Sequence, residues 1–139
     1  MNKNVNSKFY GFDTFEGLPE SWGTYAKGDM NANLPGIEDT RIKFVKGLFQ
    51  NTLFDFIDSH RIGNCKMIIH LDSDLFSSTL FALTTLARFL KKDDIIIFDE
   101  FNVPNHEYFA FKVFTESFYV KYELIAAVNN YYQSAFRIV

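Results

Sequence analysis

Two short apolar runs, each ending abruptly on acidic residues, constrain this chain more than any other feature. Met67-Ile68-Ile69-His70-Leu71 leads into Asp72-Ser73-Asp74, and Ile95-Ile96-Ile97-Phe98 leads into Asp99-Glu100. Continuous apolar runs of this length suit strands buried on both faces, as in a parallel sheet. The segment between them carries Leu80, Leu83, Leu86, Ala87 and Leu90 at helical spacing, with Ser77 or Ser78 placed to cap it. Strand, helix and strand in that order bring both acidic ends to the carboxyl edge of one sheet, where open α/β sheets bind their ligands. Carboxylates converging there repel one another unless a cation or a proton offsets the charge.

The flanking sequence continues the alternation. Lys8–Phe12 predicts a strand ending in Asp13, and Arg41–Lys46 a second strand closed by Gly47. Between them Thr14–Thr40 is rich in Gly, Pro and Asn, a loop long enough to be functional or disordered. Asn51–His60 reads as a helix stopped by Gly63. Glu107–Tyr119 reads as another, with Tyr108, Phe111, Phe114 and Phe118 on its apolar side. Tyr122–Val128 and Ser134–Val139 read as strands around a turn at Asn129-Asn130. This order predicts a three-layer α/β sandwich, mostly parallel, with a C-terminal antiparallel hairpin. Met1–Ser7 is expected to be a disordered tail, and residues 8–139 a single domain.

Composition removes several function classes. With 139 residues, 47% of them hydrophobic and 17 of them Phe, the chain builds a real core. A net charge of −3 without any Lys/Arg block excludes a nucleic-acid footprint. No apolar run approaches the roughly 20 residues of a membrane span. The first seven residues lack the apolar core of a signal peptide, so the expected compartment is the cytoplasm. The single cysteine, Cys65, excludes an internal disulfide and a zinc site, and is expected at the buried, inert start of a strand.

Asp72-Ser73-Asp74 admits three chemical readings. A glycosyltransferase holds a metal and a nucleotide sugar with such a pair. A phosphohydrolase uses the first Asp as nucleophile. A Rossmann-like methyltransferase uses one Asp at this strand end as a metal ligand. Solvated carboxylates capping the next helix are the plain alternative. Asp99-Glu100 on the neighbouring strand favours metal, and hard oxygen donors suit Mg²⁺. Asp13 is placed to bind ribose hydroxyls or, equally, to close an Asx-turn. His70 reads as a core histidine, and Glu107 as a complement to the dipole of its helix. Trp22 and Tyr25 in the long loop suit packing or covering a substrate.

Phe9-Tyr10-Gly11-Phe12-Asp13-Thr14-Phe15-Glu16-Gly17-Leu18-Pro19-Glu20 resembles the macrocin O-methyltransferase family of class I, S-adenosylmethionine-dependent enzymes. The likeness continues through Val45-Lys46-Gly47-Leu48-Phe49, His70-Leu71-Asp72-Ser73-Asp74-Leu75, Phe98-Asp99-Glu100-Phe101 and His106-Glu107-Tyr108 to Ala135-Phe136-Arg137-Ile138. It implies a Rossmann-like methyltransferase fold. It implies that Asp13 binds the ribose of S-adenosylmethionine and that Phe15 and Gly47-Leu48-Phe49 line the cofactor site. It implies that Asp72, Asp99 and Glu100 hold Mg²⁺, with Asp72 at the reacting centre and Asp74 outside the ligand set. The acceptor it implies is a hydroxyl of a sugar or glycosylated small molecule.

Two departures stand out. Phe109 occupies a position where such enzymes often carry Lys, and Leu75 one where related catechol-type enzymes place it. The first strand and Gly-rich turn that precede Lys8–Asp13 in the family have no counterpart in the seven residues before it, so the fold is expected to be N-terminally truncated. A complementing N-terminal half or a second copy of the chain is then the expected partner. A glycosyltransferase using Asp72 and Asp74, and an inactive methyltransferase-like interaction module, are the competing functions.

Overall fold

A computed structural model describes residues 4–139. The chain falls into two compact units, with the boundary between Thr52 and Leu53. Of the tail expected at Met1–Ser7, residues 1–3 lie outside the described residues. Residues 4–7 form a turn, Ser7 N–H donating to the Asn4 carbonyl at 3.2 Å.

In the first unit β1 (Phe9–Asp13) and β2 (Ile42–Lys46) pair in parallel, from Phe9 beside Ile42 to Asp13 beside Lys46. The connecting loop is pinched at its base. Leu18 N–H donates to the Asp29 carbonyl at 2.9 Å, Gly28 N–H donates to the Leu18 carbonyl at 2.9 Å, and Leu18 is buried. Gly17 closes this neck at φ 83°, where a side chain would run into the backbone carbonyls of Gly28 and Asp29. Trp22 and Tyr25 bond reciprocally through their backbones, and their rings stack at 5.5 Å and 14°. Residues 29–38 are exposed throughout. At the far end the Arg41 guanidinium grips Asp39, bonds the Asn4 carbonyl at 3.1 Å and lies over the Phe9 ring.

Helix α1 (Phe49–Ser59) starts two residues earlier than the spacing of its apolar residues predicts, and buries Leu53, Phe56 and Ile57. Its first turn is fixed by Thr52, whose N–H and hydroxyl both donate to the Leu48 carbonyl.

The second unit is a four-stranded sheet in the order β3-β4-β6-β5. These strands are β3 (Ile68–Leu71), β4 (Ile95–Phe98), β5 (Tyr122–Val128) and β6 (Gln133–Ile138). β3 and β4 are parallel, and β6 runs antiparallel to both β4 and β5. Helix α2 (Phe76–Leu86) crosses from β3 to β4, and α3 (Glu107–Phe118) packs against it. The core lies on the sheet face that carries Leu71, Ile96, Phe98 and Phe136, with the Phe111 ring of α3 5.1 Å from that of Phe98. The other face is more open, with Ile68 64% exposed and His70 and Arg137 exposed beside it.

Asp94 aligns the parallel pair at its amino end. Fully buried, it accepts Met67 N–H at 2.8 Å on one oxygen and Lys91 N–H at 3.0 Å on the other, with Lys91 Nζ at 3.3 Å. The starts of β3 and β4 are thereby fixed in register.

Several expectations need correction. Ser77 and Ser78 lie inside the first turn of α2 rather than at its cap; Asp74, at φ 58°, turns the chain so that Leu75 takes the cap position with no side-chain bond. Of the leucine stripe only Leu83 is fully buried, beside Thr79 and Ala82, while Leu80, Leu86, Ala87 and Leu90 are half-buried. Cys65 is exposed, because it follows a 3₁₀ turn (Ile62–Asn64) and precedes the strand. His70 is exposed rather than a core residue, because β3 is the outer strand of its sheet.

Amides of residues 30–38, which lie in the exposed arm of the loop, are expected to exchange with deuterium far faster than those of Ile95–Phe98. Equal protection without ligand would show that the loop is held by something other than its pinched neck.

Candidate active site at the carboxyl edge

Parallel register decides which groups meet. Leu71 pairs with Phe98, and Asp99 N–H donates to the Leu71 carbonyl at 3.1 Å, so the two acidic turns leave the sheet side by side. Asp72 is exposed there, while Ser73, Asp74, Asp99 and Glu100 are half-buried.

Glu107 ties the turns together. It is fully buried at the start of α3 and accepts Ser73 N–H at 3.4 Å on Oε1 and Glu100 N–H at 3.0 Å on Oε2. This bridging carboxylate was expected only as a complement to the helix dipole. It shares a helix stripe with Ala110, Phe111 and Phe114, all buried, and an acid on a buried stripe is the signal that marks it. Tyr132, from the β5–β6 turn, donates its hydroxyl to Glu100 Oε1 at 2.5 Å. Nothing in the local sequence distinguishes it from its neighbour Tyr131. Ser73 is fixed in turn by a 2.9 Å bond between its hydroxyl and that of Thr79.

Electrostatics follow from the crowding. Burial pushes the Asp74 carboxyl up to about 7, helped by hydrogen bonding with Glu100 and then by the charges of Glu100, Asp72 and Asp99. Two carboxylates bond only through a proton, so the pair retains one near neutral pH. Burial likewise pushes Glu107 up to about 7, against the pull of its two backbone bonds. The bond to Glu100 leads the causes that push Tyr132 up to about 12. A carboxyl that titrates near neutrality is suited to general acid–base chemistry.

The donors fit Mg²⁺ in kind, being hard oxygens around a surplus of negative charge. Among the described residues, however, no group of three or more His, Cys, Asp or Glu side chains has metal-holding geometry.

The residues expected at the cofactor lie together in the first unit. Gly47 N–H donates to the Asp13 carbonyl at 2.9 Å, which joins the carboxyl ends of β1 and β2. Gly47 stands at φ 137°, and a Cβ there would come within 2.9 Å of Thr52 Cγ2. Asp13 Oδ1 accepts Phe15 N–H at 2.6 Å, the Asx-turn, while its side chain remains exposed. Phe49 meets Phe12 edge-on at 6.5 Å, and Phe15 meets Phe44 edge-on at 6.1 Å.

Residues 29–133, more than half of the chain and inclusive of both acidic turns, match the family model described as Macrocin-O-methyltransferase (TylF). The chain belongs to that family. Its fold is that of the class I methyltransferases. The calicheamicin methyltransferase CalS11 superposes with a TM-score of 0.72 at 19% identity, covering 94% of this chain and 60% of that one. The O-methyltransferase NovP does so at 0.68 and 15%, covering 96% of this chain and 61% of that one. An apo structure of CalS11, a TDP-rhamnose 3'-O-methyltransferase, gives 0.62 at 18% identity, with 94% of this chain and 57% of that one covered. The chain thus spans about 60% of the length of these solved structures. No curated protein matches it. No helix among the described residues is long and apolar enough to cross a membrane.

The raised carboxyls set a pH dependence. Asp74 and Glu107 hold protons in the folded state that the unfolded chain releases near 3.8 and 4.5. Their stabilisation is complete below those values and is lost as pH rises through about 7. Asp39, lowered to about 2 by the bond from Arg41, is ionised in both states above pH 5 and adds nothing there. The melting temperature, followed by circular dichroism without divalent cation, is therefore expected to fall between pH 5 and pH 8. Asp74→Asn is expected to flatten that slope; an unchanged slope would mean that Asp74 is ionised throughout.

Proposed function

We propose that this chain forms the acceptor-side portion of an S-adenosylmethionine-dependent O-methyltransferase, Mg²⁺-assisted and cytoplasmic, that acts on a hydroxyl of a sugar or glycosylated small molecule. Membership of the macrocin-O-methyltransferase family, together with two acidic turns brought side by side by β3 and β4, carries this reading. The sugar acceptor is supported by the TDP-rhamnose 3'-O-methyltransferase among the similar folds.

Asp72, Asp99 and Glu100 are the residues that would hold the cation, and Asp13, Phe15 and Gly47-Leu48-Phe49 those that would hold the cofactor. Bound there, Mg²⁺ would lower the pKa of an acceptor hydroxyl, and S-adenosylmethionine would supply the methyl group. The chain's own part is to orient that hydroxyl through Asp72, to screen the edge from water with Phe76 and Phe109, whose rings stack at 5.2 Å, and to take up the released proton on the carboxylate cluster.

The partner belonging to this reading is a complementing N-terminal segment or a second copy. Among the described residues, the outer edge of β1 and that of β3 have no strand on them. The chain alone is therefore expected to bind S-adenosylhomocysteine weakly or not at all in a calorimetric titration. Supply in trans of a strand and Gly-rich turn of the family type should bring binding into the micromolar range. Binding under neither condition, with a thermal shift by uridine diphosphate and Mn²⁺ instead, would favour the glycosyltransferase reading. Micromolar binding by the monomeric chain would show that the added segment is dispensable.

The ligand set has its own test. Asp72→Asn is expected to weaken Mg²⁺ binding measured by calorimetry more than Asp74→Asn does. The reverse order would move the cation to Asp74.

A further inference from the structure

The first turns of α2 and α3 carry a pair of aromatic rings beside the acidic edge. Phe76 is the first residue of α2, two positions after Asp74, and Phe109 is the third of α3, two positions after Glu107. Their rings stack at 5.2 Å with 27° between the planes. Glu107 accepts the backbone N–H groups of Ser73 and Glu100, so the helical turn that bears Phe109 is bonded to both acidic turns. Phe109 leaves 44% of its surface exposed, and Phe76 is half-buried. Packing of the two helices does not require rings at this rim. Each helix has a buried seam of its own, Thr79, Ala82 and Leu83 on α2, and Ala110, Phe111 and Phe114 on α3. A stacked apolar pair bordered by polar groups is the arrangement that marks a ligand surface.

We propose that Phe76 and Phe109 form the platform on which a neutral sugar ring of the acceptor lies, apolar face down, with its hydroxyls turned to the acidic edge. This rests on the sugar-acceptor reading above and requires no metal. A pyranose carries C–H groups on its faces and hydroxyls around its rim. The C–H groups bear partial positive charge and meet the negative face of an aromatic ring. The hydroxyls are donors, and the carboxylates beside the platform are acceptors. The negative charge gathered at Asp72, Asp99 and Glu100 repels an anionic ring such as a uronic acid, so the ring that fits is uncharged. Phenylalanine suits this task because its ring offers a face and no competing hydroxyl.

Saturation-transfer difference NMR on the full chain tests this without any assay of activity. Saturation placed on aromatic protons passes to a bound sugar through short contacts with the rings. Methyl β-D-glucopyranoside is the neutral probe, and methyl β-D-glucuronide, which differs by a carboxylate at C6, is the anionic comparison. The parent chain is expected to saturate the ring C–H protons of the glucoside and to bind the glucuronide more weakly. Phe109→Leu keeps an apolar side chain without a ring and is expected to weaken glucoside binding about 2- to 10-fold, the range of one aromatic contact. Phe109→Tyr keeps the ring and should bind as the parent does. Phe118→Leu is the control. Phe118 is 49% exposed and lies against the Phe114 ring at 5.3 Å, but at the opposite end of α3, so its loss should change nothing. Phe76→Leu should behave as Phe109→Leu; if circular dichroism shows that it fails to fold, the Phe109 series decides alone. Unchanged affinity in Phe109→Leu would overturn the proposal, as would an equal loss in Phe118→Leu or equal binding of the glucuronide. A parent chain that binds neither sugar removes the sugar-acceptor reading and the platform together. Glucoside binding by the parent that ignores Phe109→Leu removes the platform only.

Discussion

Like charge gathered at one sheet edge is the constraint around which residues 53–139 are organised. The parallel register of β3 and β4 leaves no choice: pairing Leu71 with Phe98 sends Asp72-Ser73-Asp74 and Asp99-Glu100 out together. Each local feature of the edge offsets that crowding. Burial and Glu100 raise the affinity of Asp74 for a proton, the Tyr132 hydroxyl faces Glu100, and the backbone N–H groups of Ser73 and Glu100 face the buried Glu107. Main-chain N–H groups are the natural counterweight, since they bring partial positive charge without a second ionisable group.

The amino end of the same pair is handled differently. Asp94 is buried with Lys91 beside it and two backbone donors on its oxygens, so its charge is met where it stands. Residue 94 holds the strands in register, and the register delivers the acidic turns. Structure at one end therefore conditions the chemistry at the other, about four residues away along each strand, roughly 13 Å at 3.3 Å per residue.

Much of this was legible in the sequence, for reasons that differ by residue. The β3–α2–β4 unit announced itself because apolar runs ending in acids have one good solution in an α/β sheet. The hairpin followed from Asn129-Asn130, which tolerate the positive φ they adopt. Glu107 was visible in principle, as the acid on the stripe of Ala110 and Phe111, but the dipole explanation sufficed locally and hid it. Tyr132 was not visible, because its bond to Glu100 spans 32 residues and depends on how the turn folds back. His70 and Cys65 were misread for different reasons. Cys65 follows a 3₁₀ turn and precedes the strand, whereas His70 lies on the open face of β3, which among the described residues has β4 on one side only.

The outer position of β3 reaches beyond His70. Parallel strands normally lie inside a sheet, covered on both faces, and sequences of edge strands carry charges, prolines or bulges that discourage further pairing. Ile68–Leu71 has none of these, yet it forms the outer strand with Ile68 64% exposed. The opposite outer strand, β5, does carry such features: a register shift between Leu124 and Ala126, and Glu123 ion-paired to Arg137. One edge of the sheet is therefore finished and the other is not. The β1–β2 pair is no better provided, since two strands alone are marginal in water. Ile68, Ile69 and Leu71 thus place apolar groups on both faces of a strand that, among the described residues, is paired along one edge only: the composition of an interior strand, set at the outside of the sheet.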